Sequence, residues 1–236
     1  MNSTSSQQQL LSFDIKVYLE GAYTGGSPVL ASSVPGETYF PTTQPYSGSE
    51  FIGTPMYYVG AETISGSVPA GTIDWVLVEV RSDGRARTDS VGTVAALLME
   101  DGSIRGVDGT SLPLAVVNVL STHYVVVRHR NHMPVMSDGS VDFSSGTPIQ
   151  YDFTTASTQA FGTNPMATLG SSFGLVSGDP NGQNGITASD LSFWNTQNGG
   201  PDGYWSGDFN LNGQVTASDR SIWVTNNGLS SPVPDN

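Results

Sequence analysis

The stretch DFNLNGQVTASD, residues 208–219, sets oxygen-bearing side chains at its first, third, fifth, ninth and twelfth positions and a glycine at its sixth. That spacing is the layout of an EF-hand-type calcium loop, in which the seventh residue contributes its backbone carbonyl. On this reading Asp208, Asn210, Asn212, the carbonyl of Gln214 and Asp219 are metal ligands, and Thr216 holds a water. A second copy lies 29 residues upstream. There Asp179, Asn181, Gln183, the carbonyl of Gly185 and Asp190 take the matching places, with Thr187 at the ninth position. This copy departs in its middle, where Asn184 stands sixth and a glycine falls seventh. Asparagine enters left-handed backbone more readily than most residues, so the turn is retained. Two carboxylates per loop balance one Ca2+. So low a ligand charge goes with weak affinity, roughly 10−4–10−3 M as in extracellular modules. Two calcium ions are expected, as folding ligands rather than catalysts, and magnesium suits so flexible and carbonyl-rich a loop poorly.

Asp-x-Asn-x-Asn-Gly also occurs in ordinary turns, so a single loop would say little. What separates these two is duplication in register, GDPNGQNGITASDLSFWNTQNG (178–199) against GDFNLNGQVTASDRSIWVTNNG (207–228). In each, Thr-Ala-Ser-Asp has the form of a capping box, though with Asp for the usual Glu or Gln. Asp190 and Asp219 therefore close a loop and open a short helix. Leu191 and Trp194 are expected to face inward in one helix, Ile222 and Trp223 in the other. With these motifs, residues 178–228 resemble a dockerin domain. The resemblance implies a compact helical pair folded around two calcium ions. It also implies a cohesin partner met by the first turns of the helices, which here hold Ser189, Leu191 and Ser192, and Ser218, Arg220 and Ser221.

The remainder of the chain must position this unit. Phe13, Ile15, Val17 and Leu19 alternate with Asp14, Lys16, Tyr18 and Glu20, the period of a half-buried strand. The same holds for 73–82, 92–100, 123–131 and 147–153, with 112–120 as a further strand. The Asp-Gly turns of SDGRA, EDGSI, VDGTS and SDGSV suit tight hairpins. We therefore expect a mainly β chain. Residues 10–160 form an antiparallel β-sandwich, Ig-like or prealbumin-like, of seven to nine strands. Residues 1–9 are a polar tail, 161–177 a linker, 178–230 the small α-helical, dockerin-like domain and 231–236 a C-terminal tail. Strands such as IDWVLVEVR and HYVVVRHRNH, followed by these repeats and the ending SPVPDN, resemble the C-terminal region of large secreted Bacteroidota surface proteins. That implies a role at the cell surface or in an extracellular matrix.

Composition points the same way. The 236 residues include no cysteine and carry a net charge of −13. Disulfides, thiolate metal sites and cysteine nucleophiles are excluded. So are nucleic acid, which needs a basic footprint, and anionic lipid surfaces. No apolar run of about 18 residues is present to insert in a membrane. The opening MNSTSSQQQL lacks the basic and apolar regions of a signal peptide, so an exported chain is expected here in mature form. Asn2-Ser-Thr permits glycosylation.

No catalytic constellation stands out, and no enzyme is expected. GSSFG (170–174) matches G-x-S-x-G at Ser172, but the elbow needs a histidine later in the chain, and His123, His129 and His132 all precede it. His123 and His129 sit six residues apart, roughly 20 Å along a strand, too far for a three-histidine metal site. His129 and His132 can meet across a turn, where packing and hydrogen bonding account for them. Glu20, Glu62, Glu79 and Glu100 are available as the two acids a glycosidase needs, and alternation puts Glu79 on the Trp75 face, but an acid on a strand is read as part of a solvated face. The aromatic segment 39–58, with Tyr39, Phe40, Tyr46, Phe51, Tyr57 and Tyr58, either packs on the sandwich as a lid or stacks on sugar rings. The resulting expectation is an extracellular calcium-binding structural protein that self-associates head to tail into a fibre or surface layer. The alternatives are a dockerin-type tether to a cohesin-like scaffold and a carbohydrate-binding module whose partners are glycans.

Overall fold

The computed structural model describes residues 7–27, 29–82, 85–119, 122–143 and 148–235. In chain order these form β1 (Gln7–Lys16), β2 (Thr72–Arg81), β3 (Ser90–Met99), β4 (Ile104–Arg105), β5 (Leu114–Val119) and β6 (Thr122–His129). Next come β7 (His132–Met136), β8 (Val141–Asp142), β9 (Ile149–Asp152), β10 (Ala167–Leu169), β11 (Ser172–Gly174), α1 (Ala188–Gln197) and α2 (Ala217–Asn226). The chain is mainly β, with two short helices. Asn2-Ser-Thr, the Asp83-Gly84 turn and Thr147 lie outside the described residues.

The large sheet runs β4-β3-β2-β6-β7, with β8 paired to β6, and all its pairings are antiparallel. Against it packs a three-stranded sheet, β5-β1-β9. Between them lies the main core. Phe13, Ile15 and Val17 meet Val76, Val78 and Val80, the last three on alternate positions of β2, together with Val125 and Val127 from β6. The alternation read in the first strand is thus the alternation that fills the core. One pairing departs from an all-antiparallel sandwich: β1 runs antiparallel to β5 but parallel to β9.

Three expectations from the sequence need correction. β2 is buried along its whole length rather than on one face. Its second face, Trp75 and Leu77, is covered by Phe40, Tyr46, Phe51 and Met56 of the segment 39–58. The Tyr46 hydroxyl donates to the Trp75 carbonyl at 2.8 Å, and the Trp75 indole donates to the Pro41 carbonyl at 2.9 Å. That segment is a lid over the sheet, with only Tyr57 of its six aromatics exposed. Second, residues 161–177 are not a linker. They hold the β10–β11 hairpin and the buried Leu175, Val176 and Ser177. Third, both tails are engaged. Gln7, Gln8 and Gln9 already pair with β5, and near the other end Val233 is buried beside Tyr124, Val126 and Met136.

The repeat unit is therefore packed against the sheets, and the β6–β7 turn is its seat. The Asn131 carbonyl accepts the backbone N–H groups of Gly178 and Asp179 at 2.9 and 3.1 Å. Its side-chain Nδ2 donates to the Asp208 carbonyl at 2.7 Å. One residue thus holds the first residue of both loops. Replacing Asn131 by Ala leaves the Asp208 carbonyl buried without that donor, which costs about 1–3 kcal/mol. We expect urea unfolding in calcium to show this loss. Hydrogen exchange should quicken in residues 205–215 before it quickens in β1; equal protection in both variants would count against the seat.

Candidate metal-binding site

The two loops are built alike. Their first carboxylates accept the backbone N–H groups of the fifth and sixth residues: Asp179 from Gln183 and Asn184 at 3.2 and 3.1 Å, Asp208 from Asn212 and Gly213 at 3.0 and 2.8 Å. The third-position amide oxygen also accepts from the fifth residue, Asn181 from Gln183 at 2.9 Å and Asn210 from Asn212 at 3.1 Å. The other end of each amide donates outward, to Ser189 at 3.0 Å and to Ser218 at 2.9 Å, which fixes which atom faces the loop. At the twelfth position, Asp190 accepts from Thr187 N–H at 2.7 Å and Asp219 from Thr216 N–H at 2.8 Å.

Tight winding needs left-handed backbone at the fourth and sixth positions of each loop. The first loop uses Gly182 (φ 65°) and Asn184 (φ 62°), the second Leu211 (φ 59°) and Gly213 (φ 86°). A glycine thus serves one of the two positions in each copy, but not the same one. The swap accounts for the first loop's irregular middle. Leu211 accepts this conformation with its side chain fully buried in the main core.

Helix α1 and helix α2 then lock the copies together. The Trp194 indole donates to the Thr216 carbonyl at 2.6 Å, and the Trp223 indole to the Thr187 carbonyl at 3.0 Å. Each tryptophan donates to the carbonyl of the N-cap residue of the other helix, a reciprocal arrangement. Trp223 is buried, while Trp194, Leu191 and Ile222 are half-buried.

All four loop aspartates are fully buried, and none ion-pairs with a described Lys, Arg or His. Burial, with the Asp190 charge adding to it, pushes the Asp179 carboxyl up to about 7. Burial likewise pushes Asp208 up to about 6, with Arg130 opposing and Asp219 adding, and raises Asp190. The Asp190 Oδ1 atom is buried with no hydrogen-bond partner. Carboxylates buried in this way are stabilised by a nearby cation. Among the described residues no group of three or more His, Cys, Asp or Glu side chains is arranged to hold a metal ion. A metal held here would rest on two carboxylates, amide oxygens and a backbone carbonyl, the oxygen-rich set that calcium prefers.

Beneath the loops lies a second polar cluster that sequence reasoning missed. Asp74, fully buried, meets Arg130 Nε at 2.9 Å and His129 Nε2 at 3.2 Å, and accepts from the Tyr204 hydroxyl at 2.6 Å. Burial would raise its pKa. The Arg130 guanidinium, His129 and Tyr204 outweigh burial and hold the carboxyl below the usual range. Arg130 also lies over the Tyr204 ring at 4.2 Å and donates to the Trp205 carbonyl. His132 Nε2 accepts from Gly21 N–H at 3.2 Å. Its proton therefore sits on Nδ1, which faces Asn131 Oδ1 at 2.8 Å and His129 Nδ1 at 3.0 Å. The signal for this cluster was the run His-Arg-Asn-His, an unusual set of residues for a hairpin turn. Ser172 lies on β11 of a hairpin, not at a strand-to-helix elbow.

No family profile matches the chain, and no curated protein matches it. Two solved structures are similar in backbone, both of type II cohesin–X-dockerin complexes from Acetivibrio cellulolyticus. One is an N-terminal interface mutant, with 12% identity and a TM-score of 0.38 over 71% of this chain and 92% of that one. The other is a C-terminal interface mutant, with 13% identity and a TM-score of 0.36 over 65% and 82%. Likenesses of this size are too slight to assign a partner or a role.

Burial pulls both His129 and His132 below their ordinary pKa; at His129 the Asp74 carboxylate opposes it without overcoming it, and at His132 the neighbouring His129 and Arg130 add to it. The folded state keeps them neutral while the unfolded state binds protons below about pH 6.5. Stability therefore falls as pH drops through that value. In saturating calcium we expect the urea midpoint to fall between pH 7.5 and 5.5, and to fall less in His132→Gln. An equal fall in both proteins would mean that His132 carries none of the dependence.

Proposed function

We propose that this chain is an extracellular, calcium-stabilised assembly protein. In this reading the paired loops fold around two calcium ions and the loop-bearing face joins the next molecule. The observation that carries it is the pair of matched loops, each with two fully buried, unpaired aspartates. The first ion would be held by Asp179, Asn181, Gln183, the Gly185 carbonyl and Asp190. The second would be held by Asp208, Asn210, Asn212, the Gln214 carbonyl and Asp219. Bound calcium supplies the positive charge these groups lack, and so contributes folding free energy. The chain's own residues do the rest: Asn131 seats both loops, and Trp194 and Trp223 tie the helices. Weak loops of this kind fill only where calcium is millimolar, outside cells.

Self-association is supported by two unlike apolar surfaces. Leu10, Leu114 and Val116 are exposed on the β5-β1-β9 sheet, while Val224 and Leu229 are exposed on the repeat unit. A contact between unlike surfaces stays open and extends unless it closes into a ring. A second reading, a tether to a cohesin-like partner, is favoured by the exposure of Ser189, Ser192, Ser218, Arg220 and Ser221 on the first turns of both helices.

Calorimetry should count two calcium ions on the whole protein and one on Asp190→Asn. At a hundredfold excess over the dissociation constant, one site adds about 2.7 kcal/mol of stability; no calcium-dependent rise in melting temperature would sink the loop assignment. Sedimentation velocity in millimolar calcium should show large species that dissolve in chelator and are lost in Val116→Asp and Val224→Asp. A monomer in calcium would reject self-association and leave the tether.

A further inference from the structure

Between the lid and the C-terminal segment, an opening remains above the buried β2 and beside β3. The opening is a cleft of about 400 Å3, within the range of roughly 300–1,000 Å3 that small-molecule sites occupy. Tyr57 and Tyr58 of the lid wall one side, and Arg87 and Thr88 another. Glu79, Arg128 and Asp235 also line it.

The charges around this cleft are uneven. Arg81 and Arg128 are fully buried, and each pairs with both Glu79 and Asp235. Those four charges cancel. Arg128 nevertheless keeps Nη1 buried with no hydrogen-bond partner. Arg87 makes no ion pair among the described residues, its Nη2 donating to the Thr54 carbonyl at 3.2 Å. A chain of net charge −13 with only eight Lys and Arg thus brings two arginines, Arg87 and Arg128, to one small opening. The charge left over is that of Arg87, which suits an anion, and the two parallel N–H groups of a guanidinium match the geometry of a carboxylate as they do that of a phosphate.

The walls narrow the class further. Tyr57 is 41% exposed and offers a ring for stacking. Thr88 is exposed beside it and exchanges hydrogen bonds with hydroxyls. We infer that this cleft binds a saccharide bearing a carboxylate, a hexuronic acid unit, with Arg87 taking the acid and Tyr57 the sugar ring.

The test uses the full chain in calcium, titrated with a diuronate and with a neutral disaccharide of the same linkage and followed by calorimetry and NMR shifts. Arg87→Ala and Tyr57→Ala both alter side chains outside the core, and their melting temperatures should match the parent. We expect the diuronate to bind about tenfold tighter than the neutral sugar, the size of one charge-assisted hydrogen bond. Each substitution should weaken the diuronate by a similar factor. Absence of diuronate binding, equal binding of the neutral sugar, or binding untouched by both substitutions would overturn the assignment. So would an acidic peptide that binds as tightly as the diuronate and depends equally on Arg87, since the cleft would then be a receptor for protein carboxylates. Because assembly is read by sedimentation, a failure here is distinct from a failure there.

Discussion

The structure depends on the β6–β7 turn being able to hold hydrogen-bonding groups away from water. Asn131 is fully buried, and it satisfies the loop ends from both its backbone and its side chain. It can do so because the residues around it have been made rigid first. Asp74 fixes Arg130 and His129 from β2, and Gly21 fixes His132 from the segment after β1. A buried ion pair such as Asp74–Arg130 is weak support for net stability, because desolvating both charges offsets their attraction. Removing one partner, however, leaves the other uncompensated, at a cost of about 3–5 kcal/mol. The pair therefore specifies a geometry more than it deepens a well. What it specifies is the direction in which Asn131 points.

The loops and the sheets are joined on the same principle elsewhere. Glu20 accepts from Ser177 N–H at 2.9 Å and from the Asn226 side chain at 2.7 Å, so the end of α2 is tied to the segment after β1. The Ser177 hydroxyl donates to the Phe209 carbonyl at 2.9 Å, and Phe209 itself is buried against Met133, Val176 and Ile186. Near the C-terminus, Asn184 of the first loop donates to the Val233 carbonyl at 2.9 Å, while Asp235 reaches Arg81 and Arg128. The repeat unit is thus held at three places on the sandwich. Loosening the loops would be felt in the sheets, and the reverse.

Much of this was legible in the sequence, and the part that was not has a common cause. Period-two alternation marked β1 and β2, because alternating apolar residues have one place to go in a half-buried strand. The repeats marked both loops, because the same turn and the same helix start constrain matching positions in each copy. The full burial of β2 was hidden, since the residues covering Trp75 and Leu77 lie some thirty positions away in a Pro-rich segment with no period of its own. The hairpin at 167–174 was missed for a related reason: strands of three residues are too short to display alternation. The His129–His132 contact was anticipated across its turn, but the Asp74–Arg130 pair and the seat at Asn131 are products of the third dimension. Sequence placed the residues side by side, and only the sheet turned them toward the loops.

The distribution of charge gives this architecture its sense. Arg81, Arg128 and Arg130 are fully buried and paired with acids. Few cations are left to screen a surface that carries the remaining carboxylates. Like-charged molecules repel one another over roughly 10 Å at 0.1 M salt, so association between copies needs either apolar area or added cations. On the proposed reading, calcium answers both needs: it neutralises the aspartates buried in the loops and holds the exposed Val224 face in shape. Monovalent salt would screen the repulsion but leave those buried aspartates uncompensated. On that same reading calcium and ionic strength are separable controls on assembly, since one acts inside the loops and the other between the surfaces.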